Sequence, residues 1–156
     1  MRRHNRIATN ALAGLLLLAG TARAHEKKIA RSALPPAVEQ TVAKQLTHAK
    51  ARGFAEEVEN GETFYEAELT VDGLDRDLLI DVRGIVVEVE EQVPLDKLPA
   101  KVRNSLGAKI GTGKILRVES LTKHDRLVAY EATVSTKGKR SEIQVGPDGE
   151  MLDRKE

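Results

Sequence analysis

The stretch FYEAELTVDG, residues 64–73, returns as AYEATVSTKG at residues 129–138. At an offset of 65, Tyr65, Glu66 and Ala67 fall on Tyr130, Glu131 and Ala132, and Gly73 falls on Gly138. Within the first copy Tyr65, Ala67, Leu69 and Val71 alternate with Glu66, Glu68, Thr70 and Asp72. A period of two with one apolar and one polar side is the pattern of a half-buried strand. A strand whose apolar side must be covered, written twice, implies that its cover is written twice as well.

The match extends outward from this strand. Leu78 and Ile80 fall on Ile143 and Val145, Gly84 on Gly149 and Val87 on Leu152; upstream, at an offset of 64, Leu34, Pro35 and Val38 fall on Leu98, Pro99 and Val102. Each Leu-Pro pair opens a run at helical spacing, Leu34, Val38, Val42 and Leu46 in one half and Leu98, Val102 and Leu106 in the other. Proline suits a first helical turn, where its missing N–H has no intrahelical acceptor to lose. Asn60-Gly61 predicts a tight hairpin, because both residues tolerate positive φ. Further strands are expected at 75–82 and 85–91, then at 114–121, 127–136, 140–146 and 150–154, with GPDG at 146–149 as a turn. The expected fold class is α+β: two tandem repeats, each a helix packed on an antiparallel β-meander of about four strands. The repeats are placed at 33–91 and 98–156, joined by 92–97 and preceded by an N-terminal segment at 25–32.

The first 24 residues carry Arg2, Arg3 and Arg6 ahead of an apolar run from Ala11 to Ala19, then the small residues Ala22 and Ala24. This is the pattern of a secretory signal peptide, and the run falls short of the roughly 20 residues that span a bilayer. The expected location is periplasmic or secreted, with no stable membrane span after cleavage. Loss of Arg2, Arg3, Arg6 and Arg23 takes the formal charge from +1 to −3. That balance speaks against nucleic acid, whose phosphates require a clustered cationic excess. The chain has no cysteine, which excludes disulfides, thiol catalysis and thiolate metal sites. Charge is divided unevenly: residues 32–96 hold 15 acidic and 5 basic side chains, residues 97–156 hold 8 acidic and 13 basic.

The ordered series LPPAVEQTV, FYEAELTVDG and LIDVRGIVVEVEE, met again as LPAKVRNSL, AYEATVSTKG and IQVGPDGEMLD, resembles the PepSY-like family and its relatives with a beta-lactamase-inhibitor-like fold. The resemblance implies an exported or membrane-associated binding module. Family members occur in protease propeptides and are proposed to restrain peptidases. The family has no shared catalytic motif, so the resemblance assigns no catalytic residue.

The residues themselves agree with a non-enzymatic reading. There is no glycine-rich phosphate loop, no HExxH helix and no nucleophile elbow. Six carboxylates, Glu56, Glu57, Glu59, Glu62, Glu66 and Glu68, crowd one hairpin, but without the spacing of a calcium loop. A new N-terminus at His25 could chelate copper with its imidazole and α-amino group, provided that His48 or His124 came within reach. No catalytic, cofactor or metal residue is therefore assigned. The expected contact surface is the polar strand face, carrying Glu66, Glu68, Thr70, Glu131, Thr133 and Ser135. The expected function is an exported binding module of the envelope with a protein partner, a peptidase among the candidates. The alternative is a periplasmic carrier of a metal or small ligand.

Overall fold

The computed structural model describes residues 25–152. The expected signal peptide lies outside the described residues. In chain order the elements are β1 (His25–Lys28), a short 3-10 turn (Arg31–Ala33), α1 (Pro36–Gln45), β2 (Lys50–Glu59), β3 (Glu62–Val71), β4 (Leu74–Asp81) and β5 (Val86–Gln92). A second 3-10 turn (Leu95–Lys97), α2 (Ala100–Ile110), β6 (Lys114–Lys123), β7 (Arg126–Thr136) and β8 (Lys139–Val145) follow. The strands form one eight-stranded antiparallel sheet in sequence order, β1 to β8.

This corrects the expectation of two tandem helix-plus-meander repeats. The two halves are not separate sheets: β5 pairs with β6, Glu88 opposite Lys123 and Gln92 opposite Glu119. A meander ending at β5 would leave a row of unpaired N–H and C=O groups, and so would one starting at β6; joining them satisfies both rows. The repeated stretches 64–73 and 129–138 form β3 and β7 with their turns, inside the same sheet. Periodicity along one strand reports which side is buried but not which strand lies beside it.

Both helices cover the same side. Leu34, Val38 and Val42 pack with Tyr65, Ala67, Leu69, Leu78 and Ile80, while Leu98, Val102 and Leu106 pack with Val118, Tyr130, Ala132, Val134 and Val145. The helices begin just after the Leu-Pro pairs, with Pro35 and Pro99 at their N-caps. Each is seated by one hydroxyl on one glycine: Thr41 donates to the Gly84 carbonyl at 2.6 Å, and Ser105 to that of Gly149 at 2.5 Å. A Cβ on Gly84, whose φ is +82°, would come within 2.5 Å of the Ala37 carbonyl oxygen, so the close approach of helix and turn depends on glycine there.

Four two-residue turns close the hairpins, Asn60-Gly61, Asp72-Gly73, His124-Asp125 and Lys137-Gly138, all with positive φ at both positions. The expected hairpin at Asn60-Gly61 is present, and this turn geometry suits the right-handed twist of the flanking strands. Two differences appear at the edges. The segment at 25–32 supplies an unexpected strand, β1, paired to β2 with Lys28 opposite Ala55. Of the expected strand at 150–154, residues 150–152 show a single bridge, between Val145 and Met151, and 153–154 lie outside the described residues. The outer strands carry exposed Lys27 and Lys28 at one rim and exposed Lys139 and Arg140 at the other.

Candidate functional site: the polar face of the sheet

The side of the sheet away from the helices is built by register. In β3 Tyr65, Ala67 and Leu69 point to the helices, so Glu66, Glu68 and Thr70 point away. Opposite them across β4 stand Leu79, Asp77 and Asp75. In β5 a register shift beside Val87 turns Val86 and Val89 both toward α1, which leaves Glu88 and Glu90 on the polar face beside Leu79 and Asp77. Continuing, Glu88 meets Lys123, Glu90 meets Leu121, Glu119 meets Glu131, and Glu131 meets Gln144.

All six residues expected at the contact surface lie on this face, but in two groups. Glu66, Glu68 and Thr70 are on β3, whereas Glu131, Thr133 and Ser135 are on β7. With β4, β5 and β6 between them, the groups are about 19 Å apart at the usual strand spacing. The centre of the face is thus formed by residues that the sequence reading did not single out: Asp75, Asp77, Glu88, Glu90, Arg117 and Glu119. The signal for them was present in the alternation of LDRDLLID and VEVEEQ, but their meeting depends on the β5–β6 joint.

One carboxylate oxygen each from Asp77, Glu90 and Glu119 lies within 4.8 Å of the other two. Arginines neutralise part of this group. Arg52, in a bulge of β2, donates to Asp77 at 2.5 Å and lies 3.4 Å from Asp75. Arg117 reaches Asp75 at 2.9 Å and Glu119 at 2.5 Å. Lys123 stands 3.7 Å from Glu88, and Gln144 donates to Glu131 at 2.8 Å. The Glu90 carboxyl has only acids and no cation or hydrogen-bond donor acting on it among the described residues, and Oε2 of Glu66, a residue only 7% exposed, has no hydrogen-bond partner.

Burial and like charge together push these carboxyls upward. Desolvation, followed by the fields of Glu119, Glu88, Glu131 and Asp77, raises Glu90 to about 9. Desolvation, then Glu57, Asp77, Glu68 and Glu26, raises Glu66 to about 8, and Glu57 beside it rises to about 7 for the same reasons. Asp77, Glu88 and Glu119 are also raised by burial, against the pull of Arg52, Lys123 and Arg117 respectively. Beneath the carboxylates lies an apolar floor. Leu121 faces away from both helices, opposite Ala129, yet is 2% exposed, so the long polar side chains around it lie across it.

Asp77, Glu90 and Glu119 are the residues that could hold a cation, and as oxygen donors they would suit a hard one. Neither His48 nor His124 belongs to that group. The crowded hairpin carboxylates divide by register: Glu57 and Glu66 face the polar side, whereas Glu56 stands opposite Tyr65 on the helix side.

No family model matches the chain, and no curated protein matches it. Solved structures do. A protein of Bacteroides eggerthii described as periplasmic superposes with a TM-score of 0.64 at 21% identity, over 78% of this chain and 87% of that one. A DUF2874 family protein of Bacteroides ovatus gives 0.61 at 22% identity, over 78% and 86%. A BLIP-like protein of Bacteroides fragilis gives 0.57 at 19% identity, over 76% and 83%. The fold is BLIP-like. At these identities the likeness concerns the fold alone, and it agrees with the beta-lactamase-inhibitor-like fold expected from the sequence.

Proposed function

We propose that the mature chain is an exported, non-enzymatic binding module of the cell envelope that takes a protein partner on the polar face of its BLIP-like sheet. Export follows from the signal peptide pattern at residues 1–24, and a structural neighbour described as periplasmic supports it. No described helix is long and apolar enough to cross a membrane. The observation that carries the reading is the polar face itself. One side of a continuous eight-stranded sheet is left uncovered by the helices and lined with half-buried charged groups. The sequence resemblance to the PepSY-like family makes a peptidase the first class of partner to test, with restraint of its activity as the consequence.

The test is retention from envelope extract on immobilised protein beginning at His25, with an E68K/T133R variant in parallel. A peptidase retained stoichiometrically by the native face and lost on the variant supports the reading. Retention unaffected by the variant removes the face as the contact surface.

A second reading, carriage of a metal ion, is favoured by the approach of Asp77, Glu90 and Glu119 within 4.8 Å. Calorimetric titration with calcium and with copper separates it from the first; no stoichiometric heat with either ion ends it.

A further inference from the structure

The centre of the polar face carries an imbalance that its own arginines do not correct. Arg52 and Arg117 serve Asp75, Asp77 and Glu119. Glu90 lies in contact range of two of these acids with no cation of its own. Glu66, on β3 and in the field of Asp77 on the adjoining β4, is nine-tenths buried with an unpartnered carboxyl oxygen. On the same face Arg117 has a buried Nε–H without an acceptor. A buried polar group without a partner is unfavourable, so a ligand that satisfies several at once is favoured.

The two orphaned atoms discriminate between ligands. A bare divalent cation would meet the carboxylates but offer nothing to the Arg117 Nε–H. Nucleic acid and anionic lipid are repelled by the acidic centre. A polypeptide can bring a cationic side chain to the carboxylates and a backbone carbonyl to Arg117 in one contact, while its apolar stem lies on the floor around Leu121.

We infer that the partner binds through a lysine or arginine on a protruding segment, seated among Glu66, Asp77, Glu90 and Glu119. This rests on the reading of the polar face as a partner surface and names the chemistry that the partner presents.

Seating a cation there has a linked effect. Glu66 and Glu90, raised to about 8 and 9 mainly by burial, hold protons at neutral pH. A cation beside them favours their ionised forms, so binding expels protons and tightens as pH rises from 6 to 9. The other groups facing them are Glu26 on β1, Arg52 and Glu57 on β2, and Glu68 on β3. Beyond these stand Asp75 on β4, Glu88 on β5, Arg117 and Lys123 on β6 and Glu131 on β7. Glu57, raised to about 7, and Glu88, also raised by burial, add to the effect in the same direction.

A phage-displayed library of disulfide-closed peptides, selected on the protein from His25 onward, tests the inference. The E66Q/E90Q variant serves as counter-target, its fold checked by a thermal melt, and E68K/T133R as a second face variant. The expected binders carry Lys or Arg at a fixed position and weaken at least tenfold when that residue becomes norleucine. They also weaken at least tenfold on E66Q/E90Q and release protons on binding, seen as calorimetric heats that differ between buffers. Binders that require the face, being lost on E68K/T133R, but carry no fixed cation overturn the inference and leave the proposed function standing. Binders indifferent to both variants overturn both. Stoichiometric binding of calcium chloride alone, abolished in E66Q/E90Q, would make the centre a cation site and overturn the inference as well.

Discussion

Glu66 and Glu90 are acids held in a place where the charged form is disfavoured, and this has a measurable sign. Each keeps its proton when folded at pH values where the unfolded chain, with an ordinary value of 4.5, has lost it. The stability so contributed is fully present below about pH 4.5 and is lost as pH rises through 7, 8 and 9, in the order Glu57, Glu66, Glu90. Asp81 acts oppositely. Burial alone would raise it, but donors from the Ile85 backbone and from the side chain and backbone of Arg83 hold it below its usual 3.8, so its contribution is lost in acid. The melting temperature is therefore expected to peak near pH 4–5 and to decline toward pH 9. The variant E66Q, in which an amide replaces the protonated carboxyl, should flatten that decline. It should gain about 1 kcal/mol at pH 9, the order set by a single pKa unit, and little at pH 5; melts across that range check it. Glu66 was legible in the sequence because alternation along β3 names its side. Asp77, Glu90 and Glu119 were not, since three strands separately numbered in the chain must be brought into register before their carboxylates meet.

At the scale of elements, most of what the sequence announced is local chemistry. The Leu-Pro pairs mark the helix starts because proline fits there and nowhere deeper in a helix. Asn60-Gly61 marks a hairpin because both residues accept positive φ. The β5 strand was harder to read: its bulge breaks strict alternation, placing Val86 and Val89 on one side. The short β1 has too few residues for a pattern and exists only because β2 offers it an edge. Two predictions belong here. G84A should cost on the order of 2–4 kcal/mol in denaturant unfolding, since the methyl meets the Ala37 carbonyl and the φ of +82° is strained for alanine. In the β6–β7 turn Asp125 sits at φ 61° without being glycine. D125G should therefore raise stability by roughly 0.5–1 kcal/mol, relief of backbone strain outweighing the added freedom of the unfolded chain, and a raised denaturant midpoint is the measurement that checks it.

At the scale of the molecule the continuous sheet is expected to make the two hydrophobic clusters unfold together. Each cluster holds one of the two tyrosines, Tyr65 under α1 and Tyr130 under α2. Single-tyrosine variants Y65F and Y130F are expected to report the same unfolding midpoint, within about 0.2 M urea of each other once the stability change of each substitution is measured independently by far-UV circular dichroism. Two separated midpoints would mean that the β5–β6 pairing does not couple the halves. The sequence repeat gave the strands and helices of this arrangement, while the pairing at the joint is a long-range choice. It is fixed by the need to satisfy two exposed edges and leaves no mark in either strand alone.

The outer rims of the sheet have a bearing on life at high concentration. Both free edges carry adjacent exposed cations, Lys27 and Lys28 on β1 and Lys139 and Arg140 on β8, although each edge strand also holds one acid, Glu26 and Glu142. Rim-to-rim stacking of copies that sets these paired cations against one another brings ammonium against ammonium or guanidinium. The chain thereby carries its own colloidal brake against growing into a fibre, and places it where an open sheet is most prone to polymerise.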